Sequence, residues 1–203
     1  MSAELHRITQ DSFAFLLPKA VRSVFWEVEP ESAARVRERG EERFEKEAWL
    51  SSVLLDSPGC GFYLWDECPL ATLFYCSPAQ APGATQLPTA PVSADAMLMT
   101  SLHMAPGWEG TGMEAVLIDA AIMDLVVEGT APAVEAFGLR AAEAAEPLLS
   151  QVEEMGIIGV EALEAAGFRV VKEHPVFPRL RLELPPEREL LVAWEAQPVR
   201  ASA

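Results

Sequence analysis

A glycine-rich segment near the middle of the chain is the first candidate for chemistry. Residues 106–112 read PGWEGTG, and an apolar run begins directly after them at Met113. A glycine turn that enters a helix brings unpaired backbone N–H groups and the positive end of the helix dipole to one place, where phosphates and other anions bind. The loop lacks the Lys-Ser/Thr ending of a P-loop and the sheet context of a dinucleotide fingerprint. By itself, its spacing fits a plain tight turn equally well.

His103 is a candidate general base. It lies in the apolar run Ala96–Met104, which predicts a central strand. Because side chains alternate along a strand, His103 should face away from Leu102 and Met104, and an imidazole has a pKa suited to proton transfer near neutral pH. The alternative is a hydrogen-bonded histidine that only shapes the end of the strand.

Glu135 is a second candidate base. It lies in the short strand predicted at 133–137 and could accept a proton directly or through a water molecule, or it could be a partly exposed sheet carboxylate. Tyr63 and Tyr75 are the only tyrosines. Either could supply a proton, although tyrosines in strands are more often core or rim residues.

The cysteines do not predict a metal or redox site. Cys60, Cys68 and Cys76 show neither the C-x-x-C spacing of zinc ligands nor a nearby set of histidines. We therefore interpret them as reduced, mostly buried thiols, and we expect no metal.

Composition narrows the class of protein. The chain has 203 residues, of which 50% are hydrophobic and 23% charged, so a single globular domain over 1–203 is expected. Its 31 acidic and 15 basic residues give a net charge of −16, which opposes binding to nucleic acid or anionic lipid. The charge fits either an amine-bearing substrate or simply an acidic surface. Without an apolar run of membrane-spanning length or a secretion signal, the expected location is the cytoplasm.

The elements that position these residues alternate between strands and helices. The unit of strand 96–104, helix 113–127 and strand 133–137 should form a right-handed crossover with parallel strands. The remaining pattern predicts strands at 5–8, 61–65, 70–76, 168–172 and 179–184 and helices over 31–55, with a break at Gly40, and at 146–155 and 160–166. This order predicts an α/β (α+β) fold with a mixed sheet.

Two segments fall outside that pattern. Residues 77–95 are dominated by Pro, Ala, Ser and Gly, so we expect a mobile surface loop that cannot bury a core. The C-terminal tail 185–203 carries an apolar cluster at 190–194 that could pack on its own domain or on a partner subunit, which leaves a homodimer open.

The strand, glycine loop and helix resemble the GNAT superfamily of acyl-CoA N-acyltransferases, in which a long strand leads through an Arg/Gln-x-x-Gly-x-Gly/Ala loop into a helix. The resemblance extends to residues 161–168, which read EALEAAGF and end in Gly-Phe, and to a closing hairpin. It covers roughly Gly61 to Leu184. It implies a mixed central sheet flanked by helices, with a splayed parallel strand pair.

The resemblance also implies how acetyl-CoA or another acyl-CoA would bind. Pantetheine would pair with the strand end, the pyrophosphate would rest on backbone N–H groups of the loop, and a strand amide near Met104 would polarise the acyl carbonyl. The residues implied in cofactor binding are Leu102, His103, Met104, Trp108, Glu109, Gly110, Thr111, Gly112 and Met113. The implied reaction is acyl transfer to a primary amine of a small molecule or protein.

Three positions depart from the family pattern. Gly107 stands where the loop usually opens with Arg or Gln, Glu109 adds a negative charge beside the phosphate position, and Leu163 replaces the tyrosine that often serves as general acid. These departures motivate an alternative hypothesis, a catalytically inactive module that senses CoA or binds a protein. A third hypothesis is an acidic adaptor without a ligand. The first two require a splayed strand pair and an open groove at residues 110–112.

Overall fold

The computed structural model describes residues 3–143, 146–187 and 190, and strands and helices alternate along them. The strands are β1 (Glu4–Arg7), β2 (Gly61–Asp66), β3 (Cys68–Cys76), β4 (Ala96–Met104), β5 (Ala133–Leu139), β6 (Ile158–Gly159), β7 (Arg169–Lys172) and β8 (Arg179–Glu183). The helices are α1 (Pro18–Arg22), α2 (Pro30–Arg39), α3 (Glu42–Asp56), α4 (Met113–Glu128), α5 (Glu146–Met155) and α6 (Val160–Ala165).

The strands form one mixed sheet in the order β1-β2-β3-β4-β5-β8-β7, and β6 pairs with the end of β5. β4 and β5 run parallel, with α4 as the crossover, whereas the other neighbours along that order are antiparallel. The short β6 also pairs with β5 in parallel. The predicted α/β fold, a mixed sheet with the parallel pair β4–β5, is therefore confirmed.

Helices cover both faces of the sheet. Because side chains alternate along β3, Phe74 packs with α3 residues such as Leu50, while Tyr75 packs with residues of α4 and α6 such as Leu117 and Leu163. We call these two sides the α3 face and the α4 face. Helix α1 also packs on the α3 face, against α3.

The C-terminal end of α4 is fixed to the sheet by buried polar groups. The Tyr75 hydroxyl donates a hydrogen bond to Asp124, and Arg7 of β1 forms ion pairs with both Asp124 and Glu128. An arginine at this end of a helix also complements the helix dipole. Burial, reinforced by the Asp124 carboxylate, raises the pKa of the Tyr75 phenol, which keeps it in the donating form.

Residues 77–95 contribute to the core of the α3 face. Ala81 and Leu87 are buried there, and the buried Thr89 hydroxyl donates to the Phe177 carbonyl at 2.9 Å. Two short 3-10 helices run through the segment, at Pro78–Gln80 and Pro82–Gln86. The prediction that this stretch cannot bury a core is therefore wrong, because its small residues allow close packing against the neighbouring loops.

Helices α2 and α3 follow the predicted pattern with one exception. Gly40 ends α2 in a left-handed conformation, which confirms the predicted break. Charged residues of an amphipathic helix normally face solvent, but Lys46 of α3 is fully buried. Its ammonium group pairs with the equally buried Glu27 at 2.5 Å and lies 4.6 Å from the centre of the Phe74 ring.

Most of the predicted tail 185–203 lies outside the described residues. Within the described part of the chain, no helix has both the length and the apolar character needed to cross a bilayer.

Candidate functional site

The parallel strands β4 and β5 separate towards their C-terminal ends. Ala96–Met99 of β4 pair with Ala133–Ala136 of β5, and β4 then continues to Met104 without pairing with β5. The predicted splay is confirmed. The Leu102 N–H points into the gap between the two strands, and alternation of the backbone directs the Met104 N–H to the same side.

The glycine loop, residues 106–112, connects β4 to α4 and leaves backbone donors available. Gly110 and Gly112 adopt left-handed conformations, with φ of 71° and 87°, and a side chain at either position would meet no atom within 4 Å. Residues 111–115 donate no backbone hydrogen bond to any described residue. The start of α4 therefore presents several free N–H groups and open space, which fits a bound pyrophosphate.

Two carboxylates lie at this loop and compete with an incoming anion. Glu109 accepts a hydrogen bond from the Gly107 N–H at 2.9 Å, and Glu114 accepts one from the Gly110 N–H at 2.8 Å. The Thr111 hydroxyl donates to the Trp108 carbonyl at 2.6 Å and so tightens the turn. A phosphate ligand here would meet free donors together with two negative charges.

A groove of about 440 Å³ opens beside the loop on the α4 face. Gly110, Gly112 and Glu114 form one wall, and Ala162, Ala165 and Ala166 at the end of α6 form the other. The small side chains of α6 leave the room that a cofactor would require. The groove at residues 110–112 is open, as both ligand-binding hypotheses demand.

The gap between β4 and β5 is filled by the chain itself. Residues 155–159, which we call the 155–159 segment, run from the end of α5 through β6. The Leu102 N–H donates to the Gly156 carbonyl at 2.8 Å, and Ile158–Gly159 pair with Gly138–Leu139 of β5. The family resemblance places pantetheine on this donor of β4, so the 155–159 segment occupies the position expected for the cofactor.

His103 faces the α3 side and is covered by the 155–159 segment. Its side chain is 3% exposed, and its Nε2 atom has no hydrogen-bond partner among the described residues. Gly156 lies so close that a Cβ atom added to it would be 2.6 Å from Nε2. Burial, with the nearby ammonium groups of Lys46 and Lys19, lowers the pKa of His103 to about 3. A covered imidazole with that pKa is a poor base, contrary to the role predicted for His103.

The Glu135 carboxylate is buried and held by hydrogen bonds within the protein. It is fully buried and accepts hydrogen bonds from Arg179 at 2.5 Å and Arg181 at 3.3 Å, while the Ser93 N–H donates to it at 3.2 Å. Arg181 also binds Asp95. A carboxylate held in this way has no access to a substrate, so the predicted general-base role does not fit its position.

Most of the remaining predicted residues pack in or against the core of the α4 face. Leu102, Met104, Trp108 and Met113 pack as partly buried side chains against the core of the α4 face. Leu163, at the position of the family's acid tyrosine, is fully buried in the same core. Neither tyrosine lies at the groove as a free donor: Tyr63 is buried on the α3 face, and the Tyr75 hydroxyl is bound to Asp124.

A larger cavity of about 880 Å³ lies on the α3 face, where α1, α2 and α5 come together. We call it the α3-face cavity. Met155, which lines it, directly precedes the glycine that bonds to Leu102. No local sequence pattern indicates this cavity, because its walls are brought together only by the tertiary fold.

Metal chemistry finds no support in the part of the chain that the structure describes. No three His, Cys, Asp or Glu side chains there are grouped so that they could hold a metal ion. Cys60 and Cys76 are buried free thiols, and burial raises the pKa of Cys60 to about 12.

Comparison with known proteins identifies the architecture. No protein-family model matches the sequence, and no curated protein matches it significantly. Among solved structures, the chain is similar to YncA from Salmonella typhimurium with its cofactor acetyl-CoA, at a TM-score of 0.56 and 11% identity over 94% of this chain and 98% of that one.

The chain is also similar to two further solved structures. The PaiA N-acetyltransferase from Thermoplasma acidophilum in complex with coenzyme A gives a TM-score of 0.54 at 10% identity, over 90% of this chain and 99% of that one. An acetyltransferase of the GNAT family from Streptococcus pneumoniae gives 0.52 at 8% identity, with the same coverage. At these identities the likeness establishes the architecture, and the chain therefore has the GNAT fold.

Proposed function

We propose that this protein is an acyltransferase that moves an acetyl or other acyl group from acyl-CoA to a primary amine of a small molecule or protein. The main observation that supports the proposal is the arrangement of backbone N–H groups at the start of α4. Free N–H groups of residues 111–115 open onto a groove directly after the end of β4, where β4 parts from β5. Solved structures with this fold include complexes with coenzyme A and acetyl-CoA.

The chain offers a distinct group for each part of the cofactor. The pyrophosphate would accept hydrogen bonds from residues 111–113, with the dipole of α4 behind them. Pantetheine would pair with the β4 backbone at Leu102, and the Met104 N–H would donate to the thioester carbonyl. The acyl group would then emerge through the strand gap towards the α3 face.

The transfer itself needs no metal or redox partner. The nitrogen of the neutral amine attacks the thioester carbonyl carbon, a C–N bond forms and the C–S bond breaks. The amine loses one proton and the departing thiolate gains one, so that an amide and free CoA result. His103 would receive the proton only in an opened arrangement, because Gly156 covers the imidazole and burial lowers its pKa in the closed one.

Cofactor binding therefore requires a rearrangement. The Gly156 carbonyl must release the Leu102 N–H before pantetheine can take its place. Glu114 must also yield the Gly110 N–H or accept a phosphate as a neighbour. Both steps reduce the net affinity for acyl-CoA, because each replaces a bond that the protein already makes.

The same contacts favour a second candidate function, a module that binds CoA or a protein without transferring an acyl group. Its specific support is the combination of a filled strand gap, a covered His103 and a leucine at position 163. An enzyme that kept this closed arrangement would lack both an accessible base and a side-chain acid.

Calorimetric titration with acetyl-CoA, followed by a thiol-release assay with a panel of amines, tests the proposal. The native protein should bind acetyl-CoA and release CoA with at least one amine. Gly110→Asp should weaken binding by about 100-fold, because the carboxylate would occupy the open space above the loop and repel the pyrophosphate.

Gly129→Asp is the matched control. Gly129 also has a left-handed conformation, with φ of 62°, and open space around it, but it lies at the opposite end of α4. It should leave the affinity unchanged. Binding without release from any amine would favour the second candidate, and no binding at millimolar acetyl-CoA would contradict both.

A further inference from the structure

The α3-face cavity differs chemically from the rest of the chain. Three basic residues, Lys19, Arg22 and Arg37, line it against two acidic ones, Glu42 and Glu154. In the whole sequence, acidic residues outnumber basic ones by 31 to 15. Basic residues are therefore concentrated in this cavity, and its wall attracts a negatively charged group that most of the surface would repel.

Two of the basic residues are available to a ligand. Lys19 pairs with Glu153 at 2.5 Å. Arg22 and Arg37, in contrast, form no ion pair and no side-chain hydrogen bond with any described residue. A guanidinium group can bind a carboxylate through two parallel hydrogen bonds, so these side chains suit a carboxylate ligand.

The cavity also contains a buried polar atom without a partner. Ser23 lines the cavity, and its Oγ atom is buried with no hydrogen bond to any described residue. A buried hydroxyl normally finds a partner, because an unpaired one has lost its hydrogen bonds to water without replacing them. The oxygen is shielded from the cavity, so a polar ligand there would supply the missing partner only after the Ser23 side chain rotates towards it.

The position of the cavity links it to the proposed reaction. Met155 forms part of its wall, and the next residue, Gly156, bonds to Leu102 and covers His103. The wall of the cavity is therefore continuous in sequence with the segment that fills the strand gap, where we expect the thioester to emerge. Because Glu42 and Glu154 also line it, a positively charged amine is accommodated along with the carboxylate.

We propose that the α3-face cavity binds the acyl acceptor, and that this acceptor is an amine that also carries a carboxylate, as in a free amino acid or a short peptide. The proposal rests on the proposed acyltransferase function. Arg22 and Arg37 bind the carboxylate, Glu42 and Glu154 attract the ammonium form of the amine, and Phe25 and Met155 contact the apolar part of the ligand.

Matched ligand pairs that differ only in the carboxylate test this assignment. Binding to the full-length protein is measured by calorimetry without acetyl-CoA for L-leucine and isopentylamine, L-phenylalanine and 2-phenylethylamine, and L-lysine and cadaverine. At least one amino acid should bind ten times more tightly than its decarboxylated partner. The double variant Arg22→Gln, Arg37→Gln should abolish that preference.

Arg35→Gln is the control, since Arg35 lies on α2 like Arg37 but does not line the cavity. It should leave the preference intact. The proposal is overturned if no amino acid binds better than its partner, or if the double variant retains the preference.

A transfer assay with the same pairs separates this proposal from the proposed function. Transfer to amines with no preference for a carboxylate would overturn the cavity assignment and leave the acyltransferase function standing. Carboxylate-dependent binding that the double variant removes, without any transfer, would support the cavity as a ligand site and contradict the acyltransferase function.

Discussion

The glycine loop and the 155–159 segment lie at two ends of the proposed acyl-CoA path, and they are built in opposite ways. At the loop, residues 111–115 leave their N–H groups free and face open space. At the segment, the Gly156 carbonyl already holds the Leu102 donor, and the backbone covers His103. One end is prepared for a ligand, and the other is occupied by the protein.

This difference indicates which property each end controls, the affinity for acyl-CoA or the stability of the fold. The free donors of residues 111–115 are already in position for an anion and need at most a shift of the Glu114 side chain, whereas the filled gap must open first. Polar groups near the gap are paired or buried, so substitutions there should mainly change the free energy of unfolding. Substitutions at the loop should mainly change the affinity for acyl-CoA.

The largest effect is expected for Glu135→Gln. Removing one partner of a buried ion pair leaves the other charge uncompensated, and here Arg179 and Arg181 both lose the carboxylate. We expect a loss of about 4 kcal/mol in the free energy of unfolding, measured by urea denaturation. Asp95→Asn, which removes an exposed partner of the same Arg181, is the control and should cause only a small loss. Equal losses in both variants would show that burial of Glu135 does not matter.

Gly156→Ala should have the next largest effect. An alanine at a φ of 65° is strained, and its Cβ atom would lie 2.6 Å from His103 Nε2. Together these effects should cost about 3 kcal/mol of unfolding free energy. Because only the closed arrangement contains this clash, the affinity for acetyl-CoA should rise at the same time.

Gly40→Ala provides the comparison for that variant, since Gly40 has a φ of 66° but no atom within 4 Å of an added Cβ. It should cost about 1 kcal/mol and leave affinity unchanged. If Gly156→Ala lowered stability and affinity together, the 155–159 segment would not compete with the cofactor.

An effect of intermediate size is expected for the pH dependence of the free energy of unfolding, through the protonation of His103. Burial lowers the folded-state pKa to about 3, below the ordinary value of 6.5. The unfolded state therefore takes up a proton first as the pH falls, and stability decreases between pH 6.5 and 3. Between pH 7.5 and 5 the native protein should lose about 2 kcal/mol more than His103→Gln. A slope unchanged in His103→Gln would place the proton uptake elsewhere.

The smallest effect is expected at the loop itself. Glu114→Gln removes a negative charge beside the free N–H groups while keeping an oxygen that can accept from Gly110. Acetyl-CoA affinity should increase by about five-fold at low salt and less at high salt. Glu143→Gln, at an exposed site remote in sequence, should have no effect. An unchanged affinity would show that the pyrophosphate does not lie near Glu114.

Local sequence pattern predicted the framework of the site well. The apolar run of β4, the glycine stop of α4 and the short strand β5 each carry their signal within a few residues. The parallel pairing then follows from the handedness of the crossover. The position of the glycine loop at the start of α4 follows from the same pattern.

The closed state of the site could not be predicted in this way. The hydrogen bond between Leu102 and Gly156 joins residues far apart in sequence, and β6 is too short to show a period. The burial of Lys46 and the lowered pKa of His103 likewise depend on neighbours that only the tertiary fold supplies. The alternation of side chains along β4 correctly predicted that His103 faces away from Leu102. It did not predict that the 155–159 segment covers His103.

Buried polar contacts with Arg7 and Tyr75 hold the last turns of helix α4, while its first turn carries the glycine loop. The 16 residues of the helix span about 24 Å, so a tilt of about 5° around that end would move the loop by about 2 Å. Leu117, Ile118 and Leu125 of α4 are fully buried in the core of the α4 face, and their close packing opposes such a tilt. The start of α4 therefore presents an anion with a fixed set of N–H groups, and adjustment to anions of different size is expected in the loop residues 106–112 instead.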